Sequence, residues 1–286
     1  MPVGPSRTAE MVCFARAGEA MRPASRRIVD DPYARFFLRP MVQSMLGGRS
    51  NRRSPLPIAG TPAELTTFVL CRHRAIDDRL VSALDDGVEQ VVILGAGYDT
   101  RAWRFAEKLG GRPVWEVDFP ATARRKESLA RRHAAELPAT TLHRVEVDFE
   151  RDSFTERLTA EGFVSGARTF FVWEGVSMYL TRRAVKESLD AMRDLGGAGS
   201  ELAADFWYMV DAVDPVSFLR RLQPNLLALL GEPVLFGIHP EDVGDFLARQ
   251  KIAAREVLVA SDLEARYLAG DSRRCYPAFY VVAAGW

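Results

Sequence analysis

From Gln90 onward the chain alternates short β-branched or aromatic runs with helical segments, and this alternation limits the fold more than any other feature. The runs are Gln90–Leu94, 113–117, 141–147, 168–173 and Glu201–Trp207. Helices are expected to start near Thr100, Thr122, Ser153 and Thr181. Strand and helix in strict alternation imply right-handed crossovers and a parallel, doubly wound α/β sheet. Two later runs, 255–259 and 276–283, close the sheet and bring the expected strands to seven, mostly parallel.

Ahead of the alternation, residues 6–21 and 64–86 carry apolar side chains every three or four positions, the period of a helix packed on one face. A Gly/Pro/Ser-rich stretch, 47–62, separates them, so this part reads as a helical cap containing a loop. After Trp207 the alternation breaks. Residues 208–238 carry Pro215, Pro224 and Pro233 around the apolar run 218–230, which reads as a helical insertion. His239-Pro240-Glu241-Asp242 then has the form of a helix start, with proline in the first turn and acids favoured by the helix dipole. A chain of 286 residues that is 48% hydrophobic can bury such a core as one domain. The expected divisions of 1–286 are a cap at 1–88, a ligand-binding core at 89–207, an insertion at 208–240 that covers the substrate, and the end of the core at 241–286.

Charge and composition remove several functional classes. The 38 basic and 38 acidic side chains balance, so no global field draws the protein to nucleic acid or to an anionic membrane. Cys13, Cys71 and Cys275 are isolated, and His73, His133, His143 and His239 lack ligand spacing, so neither a disulfide framework nor a metal site is expected. Glu10, Arg16 and Glu19 interrupt the N-terminal apolar residues, which excludes a signal-peptide core, and the run 278–286 is too short to span a bilayer. Cytoplasmic residence is the expectation. Oligomeric state is not set by these features, and a homo-oligomer stays open.

Four motifs sit at the ends of expected strands. In QVVILGAGYDT, Gly95 and Gly97 let the backbone turn sharply and let a ligand approach it, and Asp99 or Thr100 can cap the following helix. A dinucleotide fingerprint would place a third glycine at Thr100 to accept a pyrophosphate. S-adenosyl-L-methionine has no pyrophosphate and suits the two-glycine turn better than NAD. In VWEVDFP, Asp118 lies about 20 residues beyond the glycines, where an acid accepts hydrogen bonds from ribose hydroxyls. Glu116 is the competing acid, earlier in the strand. VEVDFE ends its strand with Asp148 and Phe149, an acid to meet an adenine amino group and a ring to pack on the base. FFVWEGVSMYLT sets Glu174 directly after an apolar run. A carboxylate there must be paired, either with a ligand ammonium or with an internal arginine.

Taken in order, PSRTAEMVCFARAGEA, DDPYARFFL, RHRAIDDRL, ILGAGYDTRAWRF, WEVDFPATARRKESL, VDFE and WEGVSMYLT resemble the leucine carboxyl methyltransferase family, in its bacterial branch of secondary-metabolite and related O-methyltransferases. The resemblance implies a Rossmann-like class I methyltransferase that binds S-adenosyl-L-methionine. By motif position Arg72 would take the cofactor carboxylate, Gly95 and Gly97 the methionine and ribose region, Asp118 the ribose, Asp148 and Phe149 the adenine, and Glu174 the amino end. Arg74 lies two residues from Arg72 and competes with it. The family's basic residue near the acceptor aligns loosely with Arg16, and Tyr98 replaces a more usual aliphatic residue.

A carboxylate acceptor is already ionised at neutral pH and needs no general base, whereas a phenol with pKa near 10 would use one such as His239 or His73. The chain offers no obvious base, so methylation of a small-molecule carboxylic acid is the leading expectation, ahead of a phenolic or hydroxyl acceptor. Tyr179, Trp207, Tyr208, Phe218 and Phe236 are the aromatic candidates for the acceptor wall. Two other classes stay open on the motifs alone: an NAD-dependent oxidoreductase and a non-catalytic cofactor-binding protein.

Overall fold

Seven strands form one sheet in a computed structural model that describes residues 4–47, 63–148, 152–208 and 234–286. They are β1 (Gln90–Leu94), β2 (Val114–Asp118), β3 (Leu142–Glu146), β4 (Thr169–Trp173), β5 (Glu201–Trp207), β6 (Ala253–Leu258) and β7 (Phe279–Gly285). Their order across the sheet is β3-β2-β1-β4-β5-β7-β6. The first five run parallel, and β7 lies antiparallel between β5 and β6, with Glu201 opposite Gly285 and Trp207 opposite Phe279.

The helices are α1 (Arg7–Ala20), α2 (Pro40–Gly47), α3 (Ala63–Asp85), α4 (Arg101–Arg104), α5 (Ala106–Leu109), α6 (Pro120–Arg132), α7 (Phe154–Ala160), α8 (Arg182–Leu195), α9 (Val243–Ala248) and α10 (Ala260–Tyr267). Ser6, Ser153 and Thr181 cap α1, α7 and α8 by accepting the N–H three residues on. The helix expected near Thr100 is two short ones, and the helix expected at His239-Pro240 begins at Val243, after a turn. β1 and β5 coincide with the expected runs, and the other strands differ from expectation at one or both ends by one to three residues, as apolar runs specify strand interiors better than their ends.

Period-two alternation decides which side chains meet. Val91 and Ile93, with Phe170 and Val172, join one core beneath α3, where Phe68, Ile76 and Leu80 are buried. Val92 and Leu94, with Phe171 and Trp173, join a second core against Val185, Leu189 and Met192 of α8. Burying both faces is why these strands are apolar throughout. A third cluster joins Cys13 and Ala17 of α1 to Phe37, Tyr98 and Trp103, so the N-terminal segment packs onto the glycine turn. Among the described residues, no helix is long and apolar enough to cross a membrane.

The strand order reverses between β1 and β4, which opens a crevice at the carboxyl edge of the sheet. The ends of β1, β2, β4 and β5 all reach this edge. Most of the helical insertion expected at 208–240, including Phe218, falls outside the described residues, as do Phe149 and most of the 47–62 loop.

Candidate active site at the carboxyl edge of the sheet

Gly95 and Gly97 both adopt left-handed backbone, with φ of 66° and 50°. A side chain at Gly95 would overlap Cγ2 of Val176, and one at Gly97 would come to 3.0 Å from Cβ of Ala9. The turn is therefore pressed between α1 and the segment that follows β4. Asp99, rather than Thr100, receives the first helical N–H, with Oδ1 2.7 Å from the nitrogen of Arg101.

Asp118 reaches back to this turn. Its Oδ2 accepts the N–H of Gly97, and its Oδ1 accepts that of Phe119 at 2.6 Å. Burial pushes the carboxyl up to about 6, and the two backbone donors limit the rise. Glu116, the competing acid, is instead buried against Lys126 at 2.7 Å and Arg144 at 3.4 Å.

Glu174 and Arg72 meet at the next strand ends. Arg72 is 5% exposed, and its Nε donates to Oε1 of Glu174 at 3.0 Å while its Nη1 donates to Oδ2 of Asp205 at 2.9 Å. Its Nη2 lies over Gly175, 3.4 Å from where a side chain there would begin. Oδ1 of Asp205 accepts the N–H of Gly175 at 2.6 Å, so one buried acid pins both the arginine and the turn after β4. Arg74 is exposed and paired with Asp78, which separates it from Arg72.

Arg101 holds the other side of Glu174, with Nη2 2.8 Å from Oε2, and also bonds Asp99 and Asp77. Arg104 adds two bonds to Asp77 and one to His73. Burial raises the proton affinity of Glu174, Asp77 and Asp99, but the neighbouring guanidiniums and His73 outweigh it and hold all three below the usual carboxylate range. His73 is buried, and burial together with Arg101 lowers its pKa. The side chains of His73, Asp99 and Glu174 come within 4.8 Å of one another, close enough to share a metal ion. The guanidinium of Arg101 contacts all three, so the positive charge these groups face is the arginine's own.

Arg16 is also buried. Its guanidinium binds Asp31 at 2.8 Å and the carbonyl of Tyr98 at 2.6 Å, tying α1 to the glycine turn. Tyr179 is half-buried after β4, beside the first core. Tyr208 follows β5 with its ring 5.5 Å from that of His239. Trp207 and Phe236 are buried in the core. Asp148 follows β3, with its N–H bonded to Asp152 at 3.0 Å.

Sequence reasoning did not single out Asp205, Asp77, Asp31, Arg101 or Arg104. Asp205 carries the same signal as Glu174, an acid inside an apolar strand. The others fall in helical or loop patterns, where acids and arginines are ordinary.

The leucine carboxyl methyltransferase family profile matches residues 9–193. A Mycobacterium ulcerans protein provisionally named an S-adenosyl-L-methionine-dependent methyltransferase is 31% identical over 208 residues, 69% of this chain and 64% of the relative. A Parafrankia protein with the same provisional description is 34% identical over 210 residues, 71% of this chain and 63% of the relative. The match thus spans slightly less than two thirds of these relatives. A Streptomyces avermitilis DUF574 family crystal structure superposes with a TM-score of 0.57 at 13% identity, covering 94% of this chain and 99% of that one, a likeness of fold. With its β3-β2-β1-β4-β5-β7-β6 sheet, its glycine turn and this profile match, the chain belongs to the leucine carboxyl methyltransferase family and has the Rossmann-like class I methyltransferase fold.

Proposed function

We propose that the protein transfers the methyl group of S-adenosyl-L-methionine to a carboxylate oxygen of a small-molecule acid, forming a methyl ester. The observation that carries this reading is the charge pattern at the sheet edge. Arg16, Arg72, Arg101 and Arg104 face Asp31, Asp77, Asp99, Glu174 and Asp205, four cations against five anions. With His73 neutral, one negative charge is left over, and it suits a ligand with a net positive charge.

The residues present fit this cofactor. Nη2 of Arg72 is a donor available for its carboxylate, Glu174 an acceptor for its ammonium, and Asp118 an acceptor for its ribose diol. Asp148 and Phe149 would take the adenine. When bound, S-adenosyl-L-methionine supplies an electrophilic methyl group on a sulfonium. The protein's own work is to fix the acceptor oxygen in line and exclude water.

A carboxylate acceptor is favoured because His73 is committed to Glu174 and Arg104 and leaves no free histidine beside the cluster among the described residues. Hydroxyl methylation is the second reading, supported by His239 beside Tyr208 at the end of β5. Incubation with S-adenosyl-L-methionine and a panel of carboxylic acids, phenols and thiols, followed by mass spectrometry, separates the two. The expected product is one methyl heavier and cleaved by mild base. A base-stable methyl ether would favour the hydroxyl reading, and a protein that binds the cofactor but methylates nothing would make this a binding protein.

A further inference from the structure

The environment of His73 fixes where its proton sits. Nε2 lies 2.7 Å from Nη2 of Arg104, whose other hydrogen goes to Oδ1 of Asp77 at 2.9 Å. A guanidinium offers donors only, so Nε2 presents its lone pair and Nδ1 carries the proton. Nδ1 lies 3.2 and 3.1 Å from the two oxygens of Glu174 and donates to that carboxylate. Nη2 of Arg101 also lies 2.9 Å from Nδ1 and pairs with Oε2 of Glu174 at 2.8 Å. Nδ1 thus faces two carboxylate oxygens besides one donor, whereas among the described residues Nε2 has the donor of Arg104 alone within hydrogen-bond reach, and the Nδ1–H tautomer satisfies more of these contacts than the alternative.

We propose that His73, as its neutral Nδ1–H tautomer, is a positioning residue that orients Glu174 toward the amino group of the bound cofactor. The inference rests on the cofactor reading above. Arg72 and Arg101 already hold Glu174 from two sides, and both are shared with other buried acids. A third cation in place of His73 would cancel the surplus negative charge. A neutral donor placed between both oxygens restrains the carboxylate's rotation without cancelling it. Asp77 and Arg104 set the tautomer, so the chain of contacts runs Asp77–Arg104–His73–Glu174.

The test compares two ligands that differ at the amino acid end. S-adenosylhomocysteine carries the amino and carboxylate groups, and 5′-methylthioadenosine lacks them. Titration calorimetry on the full chain is expected to show tighter binding of S-adenosylhomocysteine to the wild type. His73→Ala should weaken that binding about tenfold, the scale of one charge-assisted hydrogen bond, and leave 5′-methylthioadenosine within about twofold. His73→Asn keeps an N–H near the place of Nδ1 and should recover most of the loss. Thermal melts identify any variant that fails to fold, in which case His73→Asn alone is compared with His73→Gln, whose N–H reaches the place of Nε2 instead and should not rescue. Equal loss for both ligands, or no loss for either, would overturn the positioning role. A wild type that binds neither ligand would overturn the cofactor reading, and this inference with it.

Discussion

Asp118→Asn is expected to weaken S-adenosyl-L-methionine binding more than about tenfold while leaving folding stability within about 1 kcal/mol of the wild type. Each carboxylate oxygen of Asp118 already accepts one backbone N–H, from Gly97 or Phe119, and keeps further lone-pair capacity for a ribose hydroxyl. An amide offers one acceptor oxygen, so its NH2 group must face one of those N–H donors, and only the amide oxygen is left to accept from a ribose hydroxyl. The lost backbone bond is offset by relief from burying a charge, which is why stability changes little while binding falls. pH separates the two effects. Burial raises the carboxyl to about 6, so wild-type cofactor binding should decline as pH falls through that value, and the variant should lack this dependence. The stability sign is the opposite. The folded pKa lies above the unfolded value near 4, so the contribution of Asp118 to stability is present at low pH and is lost as pH rises through about 6. Unchanged affinity in a folded variant would remove Asp118 from the ribose site.

Arg101→Met is expected to be the most destabilising substitution at the site, by roughly 3–5 kcal/mol in urea denaturation at neutral pH. The methionine fills much of the volume but leaves Asp77, Asp99 and Glu174 buried without the guanidinium they share. For a domain stable by about 5–15 kcal/mol, a loss of that size removes a large part of the total. These acids are held below their ordinary pKa in the wild type, so their contribution is present above the unfolded carboxylate range and is lost as pH falls below it. The gap between wild type and variant should therefore be widest near neutrality and narrow in acid. A gap below about 1 kcal/mol would mean that Arg101 does not carry the network.

The fold was legible because its signals are local and periodic. Val91 and Ile93 against Val92 and Leu94 announce a strand with two buried faces, and Gly95 and Gly97 announce where it must turn. Asp118 was legible from its distance to the glycines, and Glu174 from the apolar run before it. Partnership was not legible. That Arg72 faces both Glu174 and Asp205, more than one hundred residues away along the chain, is a consequence of strand order rather than of spacing. The sequence offers His73 only as a candidate base; its burial was not legible because residues 66–73 of α3 are buried on every side, which an amphipathic pattern does not predict. Arg16 was aligned near the acceptor, and the structure places its guanidinium on Asp31 and the glycine turn, where it fastens α1 over the edge of the sheet.

A crystal structure of the protein with S-adenosylhomocysteine would show where the cofactor sits. The ribose diol is expected on Asp118, the ligand carboxylate on Nη2 of Arg72 and its ammonium on Glu174, with Asp205 still holding Arg72. A ligand bound elsewhere, or one whose amino acid end avoids the Arg72–Glu174 pair, would contradict it.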